Sequence, residues 1–312
     1  MNLLLAGTWD DDAERDGWAA ALRAALPGHT LLLSRHEAHG PIAAAIVANP
    51  PPGSLQGLPE LRLIQSLWAG VDRLLDDPTL PPGVPVARMV DPAMNAAMAE
   101  TALWAVLSLH RGYFRYAAQQ RAQQWQVLPQ RRADEVSVLV LGLGQMGRAA
   151  ARRLVAQGYR VAAWTRSVAE PEDGVRLHAG PDALAPALAD AQILVNLLPL
   201  TAETRGLLNR RLFARMPPGA CIVNLARGAH LVEQDLLEAL DGHGLAHAVL
   251  DVFATEPLPP GHPFWAHERV TVLPHAAAQT DVRSAAAVAA ANIHALAAGG
   301  DLAHLVQRQR GY

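Results

Sequence analysis

The stretch VLVLGLGQMGRAAARRLVAQG, residues 138–158, constrains this chain more than any other. An apolar run of strand character ends at Gly142, Gly144 and Gly147 in G-x-G-x-x-G spacing, and a helical pattern begins at once. Three glycines alone are a weak signal, and a plain strand-to-helix turn can carry them. Between a strand and a helix they fit a tight turn, a close approach of backbone to a pyrophosphate, and a helix N-terminus whose N–H groups favour anions. Gly142, Gly144, Gln145, Met146 and Gly147 are therefore the candidate dinucleotide-binding residues.

The next strand pattern, RVAAWTRS at residues 160–167, indicates which dinucleotide. An NAD-binding unit usually ends this strand on an acid that accepts from the ribose 2′-hydroxyl and would repel a 2′-phosphate. Here Thr165, Arg166 and Ser167 stand instead, a guanidinium and two hydroxyls able to donate to phosphate oxygens. One hydrogen bond to a charged group contributes about 1.5–3 kcal/mol, or roughly ten- to hundredfold. The reading is NADPH, with NADH weaker; the alternative is a solvated arginine at a strand end.

Composition narrows the function from the other side. All 26 basic residues are arginine, so Schiff-base chemistry, a pyridoxal-phosphate anchor and a Walker A lysine are excluded. A formal net charge of −3, without long runs of one sign, argues against nucleic acid and a membrane as partners. The single cysteine, Cys221, excludes an intramolecular disulfide, fits a reducing compartment, and sits in a stretch that reads as inert core. The opening MNLLLAGTWDDD lacks the pattern of a signal peptide and no apolar run nears ~18 residues, so a soluble cytoplasmic protein is expected. Neither His36 with His39 nor His243 with His247 has an evident third ligand, and no metal is expected.

Strand-like runs alternate with helical or turn-rich segments along the chain, which predicts an α/β protein with parallel sheets. Residues 94–124 read as one continuous helix with Gly112 as its weak point, and residues 281–298 as another. Strand candidates RVAAW, AQILVNLLP, GACIVNLAR, AHAVLDVF and RVTVLPH end at polar or proline-containing turns, where open parallel sheets bind ligands. Three of the stretches after the glycines carry ionisable residues near strand ends: Arg227, Glu256 and His275. Singly each has an ordinary structural reading, as an ion-pair partner, a solvated loop acid and a satisfied histidine.

Together with the glycine motif, LVNLLPLTAETRGLLN, GACIVNLARGAHLVEQDLLEAL, AHAVLDVFATEPLPPGHPFWAHERVTVLPHAAA and SLWAGVD resemble the D-isomer-specific 2-hydroxyacid dehydrogenases over essentially the whole chain, in particular their glyoxylate/hydroxypyruvate reductase A subgroup. The resemblance implies two Rossmann-like doubly wound domains with a cleft between them: residues 1–98 with 279–312 for substrate, and residues 99–278 for the dinucleotide. It implies an NADPH-dependent reductase of small 2-oxo acids, working as a homodimer. Arg227 would bind the substrate carboxylate and polarise the ketone, His275 would donate the proton, and Glu256 would hold the imidazole charged. Trp68, Ala69, Gly70 and Val71 would form the substrate-carboxylate loop, while Leu198, Pro199, Ala226 and Asp251, with His275, would line the cofactor. Ala48 and Asn49 depart from the bulkier residues of the subgroup, which suggests a larger pocket and leaves a bulkier 2-oxo acid as an alternative. A non-catalytic dinucleotide sensor is the other; NAD-dependent phosphoglycerate and formate dehydrogenases fit the length and the histidine partner less well.

Overall fold

Every strand of the chain is paired in parallel in a computed structural model that describes residues 1–312. The chain divides into two units, residues 1–94 with 280–312 and residues 95–279.

In the first unit β1 (Asn2–Gly7), β2 (Thr30–Leu32), β3 (Ile42–Ala48), β4 (Leu63–Ser66) and β5 (Val86–Ala87) lie in the order β2-β1-β3-β4-β5. This is the 2-1-3-4-5 order of doubly wound folds. The central strands are buried throughout, which is why IAAAIVA reads as a continuous apolar run rather than an alternating one. Helix α1 (Asp12–Ala25) starts where the Asp11 carboxylate accepts from the Glu14 N–H, and buries Trp18, Ala19 and Leu22. A short α2 (Asp72–Leu75) follows β4.

The second unit holds β6 (Ser137–Leu141), β7 (Arg160–Thr165), β8 (Val175–Ala179), β9 (Ile193–Asn196), β10 (Ala220–Asn224), β11 (Leu245–Leu250) and β12 (Val270–Val272). Counted from β6 as the first, their order across the sheet is 3-2-1-4-5-6-7, the dinucleotide-binding order with one added strand. Alternate residues of each strand feed two cores: Val138 and Val140 join one with Val195 and Val249, while Leu139 and Leu141 join the other with Leu194 and Leu250. Helix α3 (Pro92–Arg111) and α5 (Gln145–Ala156) cover the first face. The short α6 (Leu184–Ala189), α7 (Arg210–Phe213) and α9 (Pro263–Ala266), together with α8 (Glu233–Asp241), cover the second.

The single helix expected over residues 94–124 is two helices. Gly112 takes a left-handed φ of 72°, which ends α3 and restarts the chain as α4 (Tyr113–Arg121). The alanine-rich α10 (Val282–Ala298) in the first unit begins at the Asp281 cap, and its small buried residues let it lie close on α1 and β4. The amide of Asn292 donates to the Gln65 side chain at 2.7 Å and pins the helix to the sheet. The terminal segment is not a loose tail: Leu305 bridges Ala87, and Arg308 donates to the Pro81 and Val84 carbonyls. No helix is long and apolar enough to cross a membrane.

Candidate active site

Because the second sheet is parallel, the turns after β6, β7, β9, β10, β11 and β12 all open at its carboxyl edge. The glycine turn after β6 comes first. Gly142 has a φ of 92° and lies against the Leu197 carbonyl, and a methyl group on Gly147 would overlap the Gly142 carbonyl oxygen, so turn and helix touch only because residue 147 is glycine. Gly144 differs, since a methyl group there would meet no protein atom within 4 Å. The protein's own packing does not demand that glycine; the approach of a bulky anion would. Gly144 caps α5 without any side-chain hydrogen bond, so the leading N–H groups at Gln145, Met146 and Gly147 can turn to a pyrophosphate. The residues present fit a dinucleotide.

At the end of β7 the Thr165 hydroxyl donates to the Ser167 carbonyl at 2.8 Å and shapes the turn. Arg166 forms an ion pair with Glu203 at 3.1 Å, both side chains substantially exposed. The hydrogen bond to Thr201 chiefly, with the charge of Arg166 adding to it, holds the Glu203 carboxyl below its usual range.

Leu198, Pro199 and Ala226 lie in the turns after β9 and β10, with Leu198 and Ala226 buried. Arg227 follows, its guanidinium donating to the Ala226 carbonyl at 2.8 Å and lying close enough to act electrostatically on Glu256 and His275. A methyl group on Gly228 would overlap the Phe253 carbonyl, so this glycine lets the Arg227 turn pack backbone to backbone against the loop after β11.

That loop carries Glu256, whose Oε1 accepts from the Phe253 N–H at 2.9 Å and whose Oε2 is 2.8 Å from Nδ1 of His275. Burial pushes the Glu256 carboxyl up, but the His275 and Phe253 hydrogen bonds outweigh it and hold it below its ordinary value. The hydrogen bond to Glu256 raises His275 above 6.5 against partial burial. A carboxylate can only accept, so Nδ1 carries a proton and Nε2 is left for a reacting group. His275 has a φ of 53°, a left-handed conformation unusual for a side-chain-bearing residue. Asp251 holds it there: its backbone carbonyl accepts from the His275 N–H at 2.9 Å, and its carboxylate accepts from the N–H groups of Ala276 and Ala277 at 2.7 and 3.1 Å. Asp251 is 1% exposed, so the role its geometry displays is bracing this turn.

In the first unit the Ser66 hydroxyl accepts from the Trp68 N–H at 3.0 Å and donates to the Trp68 carbonyl at 3.1 Å, which folds the loop of Trp68, Ala69, Gly70 and Val71. Trp68 stands edge-on to buried Trp18, with ring centroids 6.0 Å apart. Val71 is buried; Ala69 and Gly70 are partly exposed. Ala48 is 0% exposed, and its methyl carbon closes on the space beside Gly7. It is a core residue, and the idea that it widens a pocket falls away. Asn49 carries the irregularity there, with a φ of 43° and a buried Oδ1 that has no hydrogen-bond partner.

The second unit also holds Asn196, Asn224, His230, Gly228 and Glu203, which none of the sequence motifs singles out. Asn196 and Asn224 end strands whose other residues are apolar, a signal open to reading; nothing local marked His230. Of the histidine pair His243 and His247, His247 Nε2 is 2.9 Å from the Thr271 hydroxyl, and His243 Nδ1 accepts from Arg269 at 2.7 Å. Burial pushes the Cys221 thiol up to about 12, which makes it unreactive.

A family profile described as "D-isomer specific 2-hydroxyacid dehydrogenase, NAD binding domain" matches residues 103–277. The glyoxylate/hydroxypyruvate reductase A of Serratia proteamaculans is 43% identical over 300 residues, 95% of this chain and 96% of that one. Among solved structures, a D-isomer-specific 2-hydroxyacid dehydrogenase from Xanthobacter autotrophicus Py2 in complex with NADPH and MES superposes with a TM-score of 0.93 at 38% identity, covering 100% of this chain and 99% of that one. An NADPH-dependent glyoxylate/hydroxypyruvate reductase from Sinorhizobium meliloti in complex with NADP and sulfate gives 0.91 at 34% identity, with 100% and 99% covered.

Proposed function

The chain belongs to the D-isomer-specific 2-hydroxyacid dehydrogenases, and from that membership we propose that it reduces glyoxylate and hydroxypyruvate with NADPH. The observation that carries the reading is the His275–Glu256 pair at 2.8 Å on the same sheet edge as Arg227 and the glycine turn. NADPH, when bound, supplies the hydride that reduces the keto carbon. Arg227 binds the substrate carboxylate and draws electron density from the ketone. As negative charge grows on the substrate oxygen, His275 gives it the Nε2 proton. Glu256 keeps the imidazole oriented and charged, and Asp251 fixes the turn that carries it. The backbone N–H groups of Ala69, Gly70 and Val71 serve the substrate carboxylate, so residues 1–94 with 280–312 are the substrate unit and residues 95–279 the dinucleotide unit. Arg166 takes the 2′-phosphate, exchanging Glu203 for it.

Steady-state oxidation of NADPH and NADH with glyoxylate, hydroxypyruvate, pyruvate and one bulky 2-oxo acid tests the reading. Turnover of NADPH with the two small acids is expected. Tight NADPH binding without turnover of any of them would overturn it in favour of a sensor.

A homodimer is the proposed working form. Its support is an apolar stretch in the dinucleotide unit, where Trp125 is 99% and Val127 78% exposed and Trp104 and Tyr113 are also open to solvent. The proposed location is the cytoplasm, which suits a single cysteine kept as a free, partly buried thiol.

A further inference from the structure

His230 is 0% exposed and takes no part in the chemistry above. It lies in a closed polar network with Asn196 at the end of β9 and Asn224 at the end of β10, both also 0% exposed. The Asn196 amide nitrogen donates one hydrogen to Asn224 Oδ1 at 2.9 Å and the other to His230 Nδ1 at 3.0 Å. An amide nitrogen cannot accept, so Nδ1 must be the acceptor and the imidazole proton sits on Nε2. From there it is donated to the Pro199 carbonyl at 3.2 Å.

The two asparagines each shape one turn. Asn196 Oδ1 accepts from the Leu198 N–H at 3.3 Å, and Asn224 holds the next turn by accepting from Ala226 N–H at 3.3 Å and donating to the Arg227 carbonyl at 3.1 Å. The His230 N–H donates to the same Arg227 carbonyl at 3.2 Å. One imidazole thus ties the Leu198–Pro199 turn, on the proposed cofactor side, to the turn that presents Arg227. An apolar side chain would fill this core at no desolvation cost, so a network of three buried polar groups calls for another explanation.

We propose that His230 is a positioning residue that sets the distance between the Pro199 turn and the Arg227 turn, and through them the placement of cofactor and 2-oxo acid. The proposal rests on the reductase reading above. A misplacement of about 1 Å caused by a change far from the chemistry can cost on the order of a hundredfold in rate.

Two variants separate the two ties. In His230→Leu both are gone. In His230→Asn the Oδ1 stands near the former Nδ1 and can still accept from Asn196, while residue 230 no longer reaches the Pro199 carbonyl, which keeps only the Thr204 hydroxyl at 2.8 Å. Each protein is measured for thermal unfolding, for NADPH affinity by fluorescence titration without substrate, and for kcat and KM toward glyoxylate well below the unfolding temperature. The expectation for His230→Leu is about tenfold or more loss in NADPH affinity together with a raised glyoxylate KM. For His230→Asn the expectation is weakened NADPH binding with a glyoxylate KM close to that of wild type. Variants that are only less heat-stable, with both constants unchanged, would overturn the proposal and leave His230 a packing residue. Wild-type turnover tests the reductase reading separately, and the NADPH titration still reads the Pro199 tie if that reading fails.

Discussion

Two side chains of the site are held by partners that the reaction must work with or displace. His275 is raised above its ordinary 6.5 by its hydrogen bond to Glu256. Reduction uses the protonated ring, so kcat/KM is full at low pH and falls as pH rises through the raised value. Glu256→Gln removes the main cause, and the falling limb moves to lower pH; His275→Ala removes most turnover. A pH–rate profile of the glutamine variant that overlays the wild type would take Glu256 out of this role. At the adenosine end, Arg166→Ala is expected to raise the KM for NADPH roughly ten- to hundredfold while leaving that for NADH nearly unchanged. Glu203→Gln removes the exposed carboxylate that competes with the 2′-phosphate for Arg166, so NADPH binding should tighten by up to about fivefold. Equal responses of NADPH and NADH to either change would sink the 2′-phosphate assignment.

At the scale of elements, the break at Gly112 places α4 where Phe114 stacks on His247 of β11, ring centroids 4.7 Å apart and nearly parallel at 3°. Burial, with His267 and Arg269 adding to it, lowers His247 to about 4. The folded chain therefore keeps this ring neutral where the unfolded chain would protonate it. Stability is intact well above pH 6.5 and declines as pH falls toward 4, by about 1.5 kcal/mol between pH 6.5 and pH 5 for this group. His247→Gln should remove that part of the slope in urea unfolding followed at pH 7 and pH 5. Identical slopes for variant and wild type would contradict it.

For the molecule as a whole the open quantity is assembly. Light scattering at micromolar concentration is expected to give twice the chain mass. Charged substitutions at the exposed pair, Trp125→Asp with Val127→Asp, should give a monomer with unchanged far-ultraviolet circular dichroism. A monomeric wild type would refute the dimer.

The parallel sheets and the chemical character of the site were legible in the chain alone. Strands buried on both faces must be apolar throughout, a glycine turn between strand and helix has few other uses, and the absence of lysine removes whole classes of chemistry. What the chain did not display are contacts between residues distant in sequence. That Asn292 meets Gln65, that Gly228 lets two backbones touch, that Glu203 occupies Arg166 and that His230 spans two turns all depend on which strand ends the fold brings side by side. Ala48 shows the limit from the other side, since a small residue at a strand end can mean a wide pocket or a tight core, and only its burial at 0% exposure decided between them. Periodicity and turn chemistry are local and survive in sequence; hydrogen-bond partnership is a property of three-dimensional neighbours, and the tertiary structure alone determines it.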